Sequence, residues 1–155
     1  MNIEIEGVII RQLKKRVDER GWLAELFRID ELEEKIYPVM SYISMTMPGV
    51  TRGPHEHRKQ YDNFCFIGPS NFKLYLWDNR KDSPTYKNNT IVYVGEDNPV
   101  SVVVPPGVVH AYKNIGIKPG IVINFPNKLY AGWKRQEKVD EIRYENDPKS
   151  EFRVE

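Results

Sequence analysis

Turn-forming residues cut this chain into short lengths, and their spacing constrains the fold more than any other feature. Breaks fall at Pro48-Gly49, Gly68-Pro69-Ser70-Asn71, Asp78-Asn79, Gly95-Glu96-Asp97-Asn98-Pro99, Pro105-Pro106-Gly107 and Lys118-Pro119-Gly120. Proline presets φ, glycine tolerates positive φ, and Asn and Asp hydrogen-bond their own backbone, so each cluster reverses the chain. The runs between them are rich in β-branched and aromatic residues. They predict strands over 8–12, 22–28, 39–47, 63–67, 72–77, 90–94, 101–104, 110–114 and 120–125. The best helical candidate, 30–35, is stopped at once by Ile36-Tyr37-Pro38. Many short strands at this spacing imply an all-β sandwich or barrel with short helical segments.

A length of 155 residues favours one domain over 1–155. Lys and Arg number 23 against 22 Asp and Glu, a formal net charge of +1. That balance gives no electrostatic footprint for nucleic acid or for a membrane surface. It leaves room for a small anionic ligand, which needs only a few local cations. The single cysteine, Cys65, excludes an internal disulfide, and its setting Phe64-Cys65-Phe66-Ile67 reads as core. The opening Met1-Asn2-Ile3-Glu4-Ile5-Glu6 has no basic start followed by an apolar run, and no stretch reaches the length of a membrane span. The expectation is a cytoplasmic protein. The charged stretch 134–155 is either plain surface or a flap across a barrel mouth.

The chemistry-bearing residues cluster. All three histidines are His55, His57 and His110, and two of them lie in Arg52-Gly53-Pro54-His55-Glu56-His57. Alternate residues of a strand share a face, so His55 and His57 project together and Glu56 points away. Pro105-Pro106-Gly107 makes a tight turn that launches His110 into the next strand. An ordinary hydrogen-bonded polar stripe remains an alternative for all three.

These segments resemble the two motifs of the cupin superfamily. Gly49, His55, His57, Asp62 and Gly68 follow the first, with Asp in place of the usual Glu and Gly68 one residue early; Pro105, Gly107, His110 and Asn114 match the second, with Pro99 in place of its leading Gly. Within that superfamily the chain is similar to the dTDP-4-dehydrorhamnose 3,5-epimerases, in four segments: 18–25 (DERGWLAE), 49–55 (GVTRGPH), 78–85 (DNRKDSPT) and 142–148 (IRYENDP), the last with one extra residue and Tyr for the family's Trp. The resemblance implies a jelly-roll barrel, the double-stranded β-helix, acting as a homodimer without a cofactor on a nucleoside-diphosphate keto-sugar, dTDP-linked first. A 4-keto group acidifies the hydrogens on both neighbouring carbons. One group removes a proton and another returns one to the opposite face. The resemblance makes His55 the base and Asp147 its paired carboxylate. It places Arg20 and Arg52 on the diphosphate, where guanidinium forks fit phosphate oxygens. It places Glu25 and Tyr130 against the nucleotide base, and His57 and His110 within the substrate site.

Two departures stand out. The family's acidic Tyr on the strand after the second motif is here Asn124 or Ile123, and a family Lys is replaced by Tyr61. Tyr61, Tyr42 and Tyr112 are the substitutes for the missing acid, with Tyr61 placed first. The paired histidines also resemble the sugar-nucleotide 3,4-ketoisomerases, which move a carbonyl between adjacent carbons. The leading expectation is no bound metal; the alternative is a metal-binding cupin ligated by His55, His57, Asp62 and His110. A non-catalytic sugar-nucleotide-binding cupin is the last alternative.

Overall fold

Between the turns the chain folds into strands, as the computed structural model, which describes residues 4–155, makes plain. Met1, Asn2 and Ile3, which begin the stretch read above for a leader, lie outside the described residues. The strands are β1 (Ile9–Gln12), β2 (Arg16–Asp18), β3 (Gly21–Leu23), β4 (Tyr42–Thr46), β5 (Thr51–Glu56), β6 (Asp62–Phe66), β7 (Asn71–Asp78), β8 (Asn89–Gly95), β9 (Val100–Val104), β10 (Val108–Asn114), β11 (Gly120–Asn124) and β12 (Ile142–Arg143). Five form one sheet in the order β1-β9-β6-β11-β4, and five form a second in the order β12-β5-β10-β7-β8. All the pairings are antiparallel. A hairpin of β2 and β3 stands apart from both sheets.

The sheets face each other across one apolar core. Phe64, Phe66 and Val102 come from the first; Phe72, Leu74 and Tyr112 come from the second. Each fully buried side chain of this size stabilises the fold by about 1.5–3 kcal/mol relative to an exposed one. This is a jelly-roll barrel. Strands β6 and β9 are buried along their whole length. Their inner faces meet the core. Their outer faces are covered by the segment after β3, through Leu26, Leu32 and Ile36. Cys65 lies on that covered side, and burial pushes its thiol up to about 12, so it packs as a small hydrophobe.

Three local expectations change. The predicted helix over 30–35 is a pair of 3-10 turns, Ile29–Glu31 and Glu34–Ile36, whose Leu32 and Ile36 are the anchors. The predicted strand over 22–28 stops at Leu23, because the residues beyond it cover the first sheet instead of pairing with it. Strands β2 and β12 are too short to show alternation and exist only through their partners.

Candidate active site

Strand pairing brings the histidines together. In the β5–β10 register His55 lies directly opposite His110, and their ring centroids are 4.3 Å apart. His57 follows one residue past the end of β5, its ring 5.6 Å from that of His55. Glu56 points the other way and accepts hydrogen bonds from Asn79 and Tyr144. The register slips between His110 and Tyr112, a β-bulge. Gly53 makes the bulge possible: its φ is +81°, and a Cβ there would lie 2.6 Å from the carbonyl oxygen of His110. The Arg-Gly-Pro-His sequence is therefore the local device that lays His55 against His110.

Asp62, at the start of β6 in the facing sheet, completes the cluster. Its Oδ2 is 3.1 Å from His57 Nε2 and 3.3 Å from His110 Nε2. These contacts are close enough for charge attraction but misaligned for hydrogen bonding. Asp62 Oδ2 and His110 Nε2 are left as buried polar atoms without a partner. The other oxygen, Oδ1, accepts from Gln60 and from Asn124. His110 Nδ1 contacts the Val108 carbonyl at 3.1 Å, which turns Nε2 toward Asp62. One donor atom from each of His55, His57, Asp62 and His110 lies within 4.8 Å of all the others, so the four could hold a metal ion.

The electrostatics divide His55 from His57. Burial first, then the neighbouring His110 and His57, push His55 down to about 2, so it is neutral. Burial alone would lower His57 as well, but the Asp62 carboxylate and the Asp140 carbonyl that accepts from its Nδ1 outweigh it and raise it to about 9. Burial opposes the charge on Asp62, and the two imidazoles together hold its carboxyl below the usual carboxylate range.

A cleft of about 780 Å³ opens onto His55 and His57. The charged stretch after Lys134 is a flap across this opening. Its residues Glu137 through Glu141, Arg143 and Glu145 contribute to the lining, and β12 pairs with β5, setting Arg143 opposite His55. The Asp140 carboxylate accepts the backbone N–H groups of Arg58, Lys59 and Gln60, which pins the flap to the turn after β5. The flap also brings a carboxylate to His55: Glu141 Oε1 lies 3.8 Å from His55 Nε2.

Several expected residues sit elsewhere. Asp147 is in an exposed turn, accepts from the Lys149 N–H, and does not line the cleft; the two-residue strand β12 ends before it. Tyr61 packs against Leu32, Ile36 and Val103 and is likewise outside the lining. Arg20 is on the exposed hairpin, paired with Asp18, while Glu25 pairs with Arg16 and Arg28. Arg52 and Tyr130 do line the cleft; Arg52 is braced by Thr46 Oγ1 and the Met45 carbonyl. Sequence reasoning missed Glu141 and Asp140, and it missed that Lys59, Lys128, Arg135 and Lys138 share this cleft. The flap's charge run was the only signal for Arg135, Lys138, Asp140 and Glu141, and Lys59 and Lys128 had none.

Comparison with known proteins agrees with this architecture. The family described as dTDP-4-dehydrorhamnose 3,5-epimerase matches residues 2–134. A probable low-salt glycan biosynthesis epimerase of Haloferax volcanii is 41% identical over 128 residues, 81% of each chain. The spore coat polysaccharide biosynthesis protein SpsL of Bacillus subtilis is 37% identical over 126 residues, 81% of this chain and 82% of the relative. Among solved structures, a dTDP sugar isomerase from Desulfovibrio desulfuricans superposes with a TM-score of 0.83 at 21% identity, covering 96% of this chain and 90% of that one. The dTDP-4-dehydrorhamnose 3,5-epimerase of Sulfolobus tokodaii gives 0.69 at 25% identity, covering 79% and 70%. The chain belongs to the dTDP-4-dehydrorhamnose 3,5-epimerase family, and with it to the epimerase class of isomerases.

Proposed function

We propose that this epimerase takes a proton from the carbon beside the carbonyl of a nucleoside-diphosphate 4-keto-sugar, dTDP-linked first, and that His55 is the base. The observation that carries the reading is the asymmetry within the cleft. His55 is held neutral, and the Glu141 carboxylate, braced through its other oxygen by Arg143, lies beside it. His57, raised to about 9, already carries its proton at neutral pH and cannot accept another. As His55 becomes an imidazolium, Glu141 stabilises the charge. Arg52, Lys59, Lys128, Arg135 and Lys138 offer cations to a diphosphate, and the exposed ring of Tyr130 offers a stacking face to a pyrimidine.

The same reading makes the active form a cytoplasmic homodimer. The β2–β3 hairpin exposes Val17, Trp22 and Leu23, and the edge strand β4 exposes Ile43 and Met45. Arg20 and Glu25, remote from their own cleft, then serve the cleft of a second copy. No helix among the described residues is long and apolar enough to cross a membrane.

The test is incubation with a dTDP-4-keto-6-deoxyhexose in deuterated water, followed by proton NMR. Wild type gains deuterium beside the carbonyl and inverts that centre. His55→Asn slows both by about two to four orders of magnitude, the usual cost of losing a general base. Carbonyl migration without inversion would replace epimerisation with ketoisomerisation.

One observation favours a second reading, a metal centre. Asp62 Oδ2 and His110 Nε2 are buried without partners and face each other. A divalent cation held by His55, His57, Asp62 and His110 would satisfy both, and would act as a Lewis acid on the sugar carbonyl. Near-stoichiometric metal in protein purified without additions, with activity lost on chelation, would establish it.

A further inference from the structure

We propose that Tyr42 is the proton donor of this enzyme, contributed by the edge strand β4 and oriented by the buried amide of Asn124. The proposal rests on the epimerase reading above and extends it to the acid half of the reaction. Strand β11 carries Asn124 where a donor is needed, and an amide does not give up a proton at neutral pH. The β11–β4 register places Asn124 directly opposite Tyr42. The Asn124 side chain is 0% exposed, and its orientation is fixed by its neighbours. Its Oδ1 accepts the Asn63 N–H at 3.0 Å, which leaves Nδ2 to donate to Asp62 Oδ1 at 2.7 Å and to the Tyr42 hydroxyl at 2.9 Å.

The direction of that last bond matters. The tyrosine oxygen accepts from the amide, so its own hydrogen is not used there. Among the described residues the Tyr42 hydroxyl makes no other hydrogen bond. Its hydrogen is free to point into the cleft that Tyr42 and His55 both line. Tyr42 lines the cleft, so a substrate seated there can reach it. Burial of the hydroxyl and the nearby Asp62 charge raise its pKa, so it stays protonated through neutral pH.

Epimerisation needs its base and its acid on opposite sides of one carbon. His55 stands on β5 of one sheet, and Tyr42 on β4 of the facing sheet. The rival tyrosines lack this setting. Tyr61 is outside the cleft. Tyr112 comes from β10, the neighbour of β5 in the same sheet as the base, and its hydroxyl is already bonded to Ser44 Oγ at 3.0 Å.

The step balances with solvent alone. His55 takes the proton from the carbon, and the electrons of the broken C–H bond pass to the carbonyl oxygen as an enolate. The enolate collapses, a new C–H bond forms on the opposite face, and its proton comes from the Tyr42 O–H. The phenolate then takes a proton from water, and the imidazolium returns one to water.

Tyr42→Phe in deuterated water separates the two halves. The expected result is deuterium entering beside the carbonyl within a few-fold of the wild-type rate, with configuration retained and inverted product reduced about 100-fold or more. Asn124→Ala, a change in a positioning residue, is expected to lower the ratio of inversion to exchange without abolishing exchange. Tyr42→Phe inverting at the wild-type rate would overturn the donor role. Loss of exchange together with inversion would also overturn it, by placing Tyr42 in the abstraction step. An unchanged ratio in Asn124→Ala would overturn the part given to Asn124. A wild type that neither exchanges nor inverts would sink the epimerase reading of this substrate class, and the donor role with it.

Discussion

Asp78 and Asp62 are both buried aspartates, 2% and 1% exposed, and they do opposite things. Asp78 ends β7 and is saturated. It accepts from the backbone N–H, Nε and Nη2 of Arg80 and from the hydroxyls of Ser83 and Thr85, at 2.6–3.1 Å. Arg80 Nη2 also donates to the Glu6 carbonyl, and a Cβ on Gly107 would strike Arg80 Cγ at 2.5 Å. The Asp-Asn-Arg-Lys-Asp-Ser-Pro-Thr segment is thus a clamp that closes the β7–β8 turn and ties the N-terminal segment to it. Asp62 fills only one of its oxygens and leaves the other facing two imidazoles. Burial of a carboxylate therefore does not separate structure from chemistry. Unfilled hydrogen-bonding capacity beside titratable neighbours does.

The sharpest way to break this contrast is Asp78→Asn. It leaves Arg80 without its counter-charge and turns an acceptor of several donors into a mixed group. The expected loss is roughly 3 kcal/mol of stability at neutral pH, toward the low end for a broken buried pair because Arg80 is partly exposed. Epimerase activity below the unfolding transition should stay within a few-fold of wild type. Urea unfolding measures the first and NMR turnover the second. The sign of the pH effect follows from the clamp. Burial raises the Asp78 carboxyl, but the donors of Arg80, Ser83 and Thr85 outweigh it and hold it below its ordinary 3.8. Its contribution is present above that value and is lost as pH falls through the folded-state value. Asp78→Asn should flatten that acid limb. A variant with wild-type stability and no activity would erase the distinction.

Asp62→Asn should differ in what it does to the reaction. Removing one partner of a buried ion pair costs stability here too, about 3 kcal/mol, so it is the loss of activity that sets this variant apart from Asp78→Asn. Epimerisation should fall about 10- to 100-fold, because the Asp62 charge sets the protonation of His57 and its Oδ1 anchors the Asn124 amide. In metal-free protein the alkaline limb should change as well. His57 is raised in the folded state to about 9, so its contribution is present below pH 6.5 and is lost as pH rises through about 9. Without the carboxylate that limb should flatten. A wild-type rate for Asp62→Asn would show that the unfilled oxygen is idle.

The sequence made the strands visible wherever turn-formers bounded them, and it made the His55, His57 and His110 cluster visible through the period of two and the Pro-Pro-Gly turn. What it hid depends on contacts between distant segments. Strand β12 is two residues long and exists only because it pairs with β5, and that pairing is what delivers Glu141 to His55. Motif spacing pointed to Asp147 instead, a short distance further along the same flap. Tyr61 was placed first as acid by its position in the motif, but it packs, partly buried, against Leu32 and Ile36 of the 3-10 turns, outside the cleft. Asn124 read as a lost acid, and its bond to Tyr42 could not be seen without the β11–β4 register.

The smallest expected effect separates the two flap carboxylates. Glu141 is the group facing His55 Nε2, at 3.8 Å with both side chains only 16% exposed. That is too long for a direct hydrogen bond, so Glu141 acts on the imidazole through its charge, strengthened by the sheltered setting. Arg143 Nε holds the other oxygen of Glu141 at 2.7 Å and shares its charge with Glu145, which fixes the carboxylate and tempers its field at His55. Glu141→Gln keeps the shape and removes the charge. The imidazolium formed in the reaction then loses a nearby anion, and exchange beside the carbonyl should slow about 5- to 20-fold, well short of the loss from removing the base itself. Asp147→Asn, in its exposed turn, should stay within about twofold, as surface changes away from a site usually do. Both variants should unfold near the wild-type midpoint, so the readout is the exchange rate at saturating substrate. If Asp147→Asn proves the slower of the two, the flap rearranges when substrate binds, and the carboxylate that serves His55 is the one motif spacing indicated.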